Sequence, residues 1–95
     1  MMSGDDRKRA PGPDELGVLM AAGDGEPERL LMLGTPANGR VHVREWSSRN
    51  WSGPPDEREM AVADAFAVFQ RAHDARRRMS TGLSQIRAWL DGRPL

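Results

Sequence analysis

The chain has 95 residues, with 14 basic and 14 acidic side chains, three Trp, two Phe and no Cys or Tyr. That length supports one small domain, which buries roughly 60–65% of its unfolded surface and leaves little volume for an enclosed catalytic cleft. Without Cys there is no disulfide framework, thiolate metal site or thiol nucleophile, a composition that fits a cytoplasmic protein.

The formally zero net charge is unevenly spread: residues 1–28 carry −4 and residues 29–95 carry +4. Such an asymmetry serves solubility, and an acidic tail also competes with an anionic partner for a basic body. No apolar run approaches the ~20 residues of a membrane span. Arg7-Lys8-Arg9 ahead of Leu16–Ala22 has the outline of an export signal, but Asp14 and Glu15 abut the apolar run and Pro11-Gly12-Pro13 interrupts the approach.

Residues 1–14 combine Gly, Pro and charge with no apolar period and read as a disordered leader. The single domain then spans 15–93. Residues 16–22 fit an edge strand or a short helical turn, because four consecutive apolar residues settle no period. Gly23 to Pro27 is a turn, and a meander of 16–22, 29–35 and 40–47 follows. Its centre is the hairpin of residues 29–47, where Asn38-Gly39 suits a two-residue type I′ loop. Uninterrupted pairing from that loop sets Ala37 opposite Arg40, Pro36 opposite Val41 and Leu33 opposite Arg44. Val41 and Val43 then share a face with Leu30 and Met32, and Leu31 and Leu33 lie on the other.

Ser47 to Pro55 is a loop carrying Trp51. Residues 56–62 fit either a fourth strand or the start of a long helix, and the strand is preferred because it completes the meander. A helix over 63–79 has Ala65, Phe66, Phe69, Ala72 and His73 on one side. Ser80 or Thr81 serves as cap for a second helix over 82–91, with Leu83, Ile86 and Leu90 inward, Arg87 outward and Gly92 as its stop. The expected architecture is α+β: an antiparallel meander of three to four strands followed by two C-terminal helices.

Strand alternation places Arg40, His42, Arg44 and Trp46 on one face, a basic and aromatic set suited to single-stranded nucleic acid. The competing view is a solvated outer face with Trp46 at the core edge. Trp51, on its Pro/Gly-rich loop, is either a partner anchor or a cover for the core. Arg76-Arg77-Arg78 reads as a basic helix end favoured by the helix dipole. His42 and His73 lie in no metal-ligand spacing. Gly23-Asp24-Gly25 lacks a third glycine, its place being held by Glu28, so no cofactor fingerprint exists. These features point away from an enzyme and towards a small interaction module with an unknown protein partner, a homodimer through a strand edge being one form. Weak binding of single-stranded nucleic acid is the alternative, disfavoured by a pI of about 6.7.

Overall fold

Three residues on one side of the central hairpin match two on the other, and that mismatch sets every face of the sheet. In the computed structural model, which describes residues 11–23 and 25–93, the elements run β1 (Leu16–Met20), β2 (Arg29–Leu33), β3 (Arg40–Ser47), a 3-10 turn (Ser48–Asn50), β4 (Asp56–Ala61), α1 (Val62–Asp74) and α2 (Leu83–Leu90). The strands form one antiparallel sheet in the order β1-β2-β3-β4. Residues 16–20 and 56–61 are therefore both strands. Residues 1–10 of the leader lie outside the described residues, while residues 11–14 lead into β1 through a turn closed by Glu15 N–H donating to the Gly12 carbonyl at 3.2 Å.

The turn forms as the Asn-Gly pair dictates: Asn38 and Gly39 have φ of 54° and 74°, and Ala37 and Arg40 exchange both backbone hydrogen bonds. Past that pair the uninterrupted register fails. Leu33 stands opposite Val43 instead of Arg44, so Gly34, Thr35 and Pro36 face only Val41 and His42. This is a β-bulge, and with a side-chain period of two it moves all of β2 to the opposite face relative to the regular pairing. The bonds made by Gly34 hold the bulge in place. The Gly34 N–H donates to His42 at 2.8 Å, and its carbonyl accepts from the Trp89 indole at 2.9 Å. As a result Leu31 and Leu33, not Leu30 and Met32, join Val41 and Val43 beneath the helices.

The core lies between this face and the two helices. Val18, Met20, Leu31, Leu33, Val41 and Val43 from the sheet meet Ala65, Phe69 and Ala72 of α1 and Ile86 and Leu90 of α2. The spacing of Ala65, Phe69 and Ala72 is one face of a helix. His73, expected on that face, is exposed instead and lies 3.8 Å from Asp74. β4 passes into α1 without a loop, and Val62 N–H, an orphan donor of the first helical turn, donates to the Gly39 carbonyl at 2.9 Å.

The first helix ends at Asp74, five residues short of the expected Met79. Arg76 adopts φ of 59°, Arg77 N–H donates to Ala72 and Arg76 N–H to His73. That is a Schellman motif without glycine. α2 ends in the same bonds, with Gly92 at φ 76° in the left-handed place. Arg76, Arg77 and Arg78 thus lie beyond the helix rather than forming its basic end. Arg77 turns back to donate to the carbonyls of Ala21 and Pro27, both at 3.0 Å.

Residues 78–81 then run along the outer side of β1. Ala21 N–H donates to Arg78, Ser80 N–H to Leu19, and Leu19 N–H to the Ser80 hydroxyl at 2.8 Å. The Thr81 hydroxyl donates to Gly17 at 3.3 Å. Neither hydroxyl caps α2, whose N-cap is Gly82, its N–H donating to the Gln85 side chain at 3.4 Å. Both close the edge of β1.

Two substitutions check this description by thermal or denaturant unfolding. Arg76→Gly removes the penalty of a side chain in the left-handed region and should stabilise the domain by about 0.5–1 kcal/mol; a loss of stability would mean that the Arg76 side chain makes a contact worth more than that penalty. Trp89→Phe keeps most of the ring volume but strips the Gly34 carbonyl of its donor, and should destabilise by about 1–2 kcal/mol.

Candidate functional site

The face of the sheet turned away from the helices holds the residues that alternation groups together. Arg40, His42, Arg44 and Trp46 alternate along β3, opposite Leu30 and Met32 on β2 and Glu57, Glu59 and Ala61 on β4. Their neighbours change what they offer. The Arg40 guanidinium donates to Glu59 at 2.9 Å, and the His42 ring lies 3.5 Å from Glu57. Arg44 reaches across β2 to Glu15, donating through Nη2 at 2.7 Å and Nε at 3.1 Å. The same carboxylate accepts from Gly12 N–H at 3.0 Å. This bracket passes beside Met32, which is 1% exposed.

Trp46 is 4% exposed, with the Arg44 guanidinium 5.3 Å from its ring centroid. A ring so buried offers no face to a nucleobase, and arginines already paired with carboxylates are poorer ligands for a phosphate chain. The face is assembled as the sequence indicates, yet its cations are engaged internally. Trp51 is half-buried just beyond the 3-10 turn.

On the helix side Glu45 accepts from both Arg29 and Arg58, tying three strands together. Its side chain is 15% exposed. Burial alone raises the Glu45 pKa, but the hydrogen bonds from Arg29 and Arg58 and their charges outweigh it, so it lies below the ordinary 4.5. Glu15 is lowered in the same way, burial being opposed by the Arg44 hydrogen bond, the Gly12 N–H and the Arg44 and His42 charges.

The surface hollows are shallow. One of about 280 Å³ between β2 and the end of α1 gathers Arg29, Arg71 and Arg77, but Arg29 is turned to Glu45 and Arg77 to backbone carbonyls. Another, about 250 Å³, lies between the helices around Val62, Phe66 and Leu90. Arg87, expected to face outward, is exposed yet stacks on Phe66 with its guanidinium 4.3 Å from the ring centroid. Among the described residues no group of three or more His, Asp or Glu is placed to hold a metal ion.

The two sheet edges differ. That of β1 is closed by residues 78–81. On β4 the ladder to β3 uses the inward groups of Asp56, Arg58 and Met60, as follows from alternation counted from the Val62–Gly39 bond. The N–H and C=O of Glu57 and Glu59 and the N–H of Ala61 therefore point outward, and no backbone group among the described residues pairs with them, whereas the Ala61 carbonyl starts the helical ladder of α1; the Glu59 carbonyl has only a 3.5 Å contact from Arg40. The charged run Asp56-Glu57-Arg58-Glu59 is the local sign of an edge strand, and the strand order places it at the margin.

No protein-family model matches the chain, and no curated protein or solved structure shows significant similarity to it. No helix among the described residues is long and apolar enough to cross a membrane.

The carboxylate pairs carry a pH dependence of fixed sign. Because the folded-state values of Glu45 and Glu15 are depressed, the stability they contribute is complete above the ordinary 4.5 and is lost as pH falls through the lower folded-state values. Thermal unfolding should therefore move to lower temperature between about pH 6 and about pH 3, and Glu45→Gln should flatten part of that fall while destabilising the domain by about 1–3 kcal/mol at neutral pH. Parental pH dependence in Glu45→Gln would show that the Arg29–Glu45–Arg58 group contributes nothing.

Proposed function

We propose that this chain is a small, non-enzymatic protein-interaction module that takes up an extended segment of a partner along the outer edge of β4. The observation that carries the reading is the unequal treatment of the two edges. An open strand edge is a template for another chain, and domains protect an edge either by covering it or by charging it against indiscriminate pairing. Here β1 is covered by a dedicated run of main-chain and hydroxyl bonds from residues 78–81, while the backbone groups of Glu57 and Glu59 and the N–H of Ala61 face outward. The single-strand alternative has less support, because Arg40 and Arg44 are held by Glu59 and Glu15 and Trp46 is buried.

Ala61→Pro tests the edge without disturbing the fold. Ala61 already has φ of −61°, the value a proline ring imposes, and its N–H faces outward. The variant should unfold like the parent and bind a partner recovered by affinity capture at least about tenfold more weakly, the order expected for a lost backbone bond and a clashing ring. Arg71→Ala, at an exposed site on α1, should bind as the parent does. Unchanged affinity of Ala61→Pro would overturn the edge reading. Salt-dependent binding of a labelled single-stranded oligonucleotide, lost on replacing Arg40 and Arg44, would put the nucleic-acid reading in its place.

A further inference from the structure

The side chains beside the open backbone groups restrict what fits there. Glu57 and Glu59 lie on the open face of the sheet at its margin, 55% and 60% exposed, while Arg58 and Met60 lie towards the helices. A strand laid against β4 sets its residues opposite these in turn. β3, already paired to the inner side of β4, shows what such a strand carries: Val41 faces Met60, His42 faces Glu59, Val43 faces Arg58 and Arg44 faces Glu57. The pattern is apolar, basic, apolar, basic. Arg58 tolerates an apolar neighbour because its guanidinium is turned to Glu45 and Asp56, both at 2.9 Å.

A second copy of the chain fits poorly. Two-fold pairing of β4 with itself must match outward residues with outward residues. The registers that pair most of the strand, centred on Arg58 or on Glu59, set Glu57 against Glu59 or Glu59 against its own copy. Directly opposed like charges destabilise a strand pair, so the edge resists self-association and selects another chain.

Building on the edge reading, we propose that β4 recruits an extended protein segment alternating basic and apolar residues, with its basic side chains over Glu57 and Glu59. Three synthetic peptides of about eight residues test this on the full chain: alternating Arg and Val, Thr and Val, and Glu and Val. Affinity is measured by calorimetry at moderate salt, and site by amide hydrogen exchange. The Arg peptide should protect the amides of Glu57, Glu59 and Ala61 and bind about tenfold more tightly than the Thr peptide, as two cross-strand charge pairs provide. The Glu peptide should not bind. Replacing both Glu57 and Glu59 with Lys should reverse the order; should that protein fail to fold, Glu57→Gln alone should reduce the preference. Protection by all three peptides with equal affinity would overturn the charge selection and leave strand addition intact. Absence of protection by any peptide, or Arg-peptide binding without protection at these amides, would overturn both.

Discussion

Leu33 and Val43 oppose each other only because the hairpin takes in one extra residue between Gly34 and Pro36, and the rest of the molecule is built on that pairing. It aligns Leu31 and Leu33 with Val41 and Val43, giving one wholly apolar face for α1 and α2 to cover. It sends Leu30 and Met32 to the other face, beside Arg44 and Trp46. It also leaves the Gly34 carbonyl as an acceptor for Trp89, so the defect in the ladder becomes the point at which α2 is tied to the sheet. A single deletion in this stretch would exchange the faces of β2 and bury the wrong side chains.

A core of this size leaves a domain stable by only a few kcal/mol. Bonds from side chains to distant backbone carry much of the tertiary order. Arg77 holds the end of α1 to the segment linking β1 and β2, Trp89 holds α2 to the bulge, and Ser80 and Thr81 hold the interhelical segment to β1. Each satisfies a carbonyl or N–H that the ladder leaves over, which is worth more than another exposed ion pair. The ion pairs divide accordingly. Arg40–Glu59 is more than half exposed and contributes little, whereas Glu45 and Glu15 sit in partly buried pairs whose loss exposes apolar neighbours.

Much of this was legible in the sequence. Alternation and helical period located the meander, the fourth strand and both helices, Asn38-Gly39 identified the turn, and the grouping of Arg40, His42, Arg44 and Trp46 on one face held because parity within β3 does not depend on its neighbours. Register did not follow, since the extra residue between Gly34 and Pro36 is fixed by bonds to His42 and Trp89 that sequence proximity does not reveal. The early end of α1 was hidden because its left-handed residue is Arg76, where the usual signal is glycine. The carboxylates that engage the open-face cations, Glu15, Glu57 and Glu59, lie 15 to 29 residues away along the chain. Edge exposure belongs to topology, and the charges of Asp56 to Glu59 are its one local mark.

The closure of β1 by residues 78–81 also sets an order of assembly. Leu19 and Ser80 are 61 residues apart. The loop that joins them contains β2, β3, β4 and α1, so the bond between them is among the last that entropy allows. During synthesis β1 emerges early and stays unprotected on its outer side until most of the chain has followed. For that interval the nascent sheet has two open margins, one of them apolar, and depends on rapid helix formation or on a holding chaperone to avoid pairing with another chain. Among the described residues, the finished sheet leaves only its charged margin open.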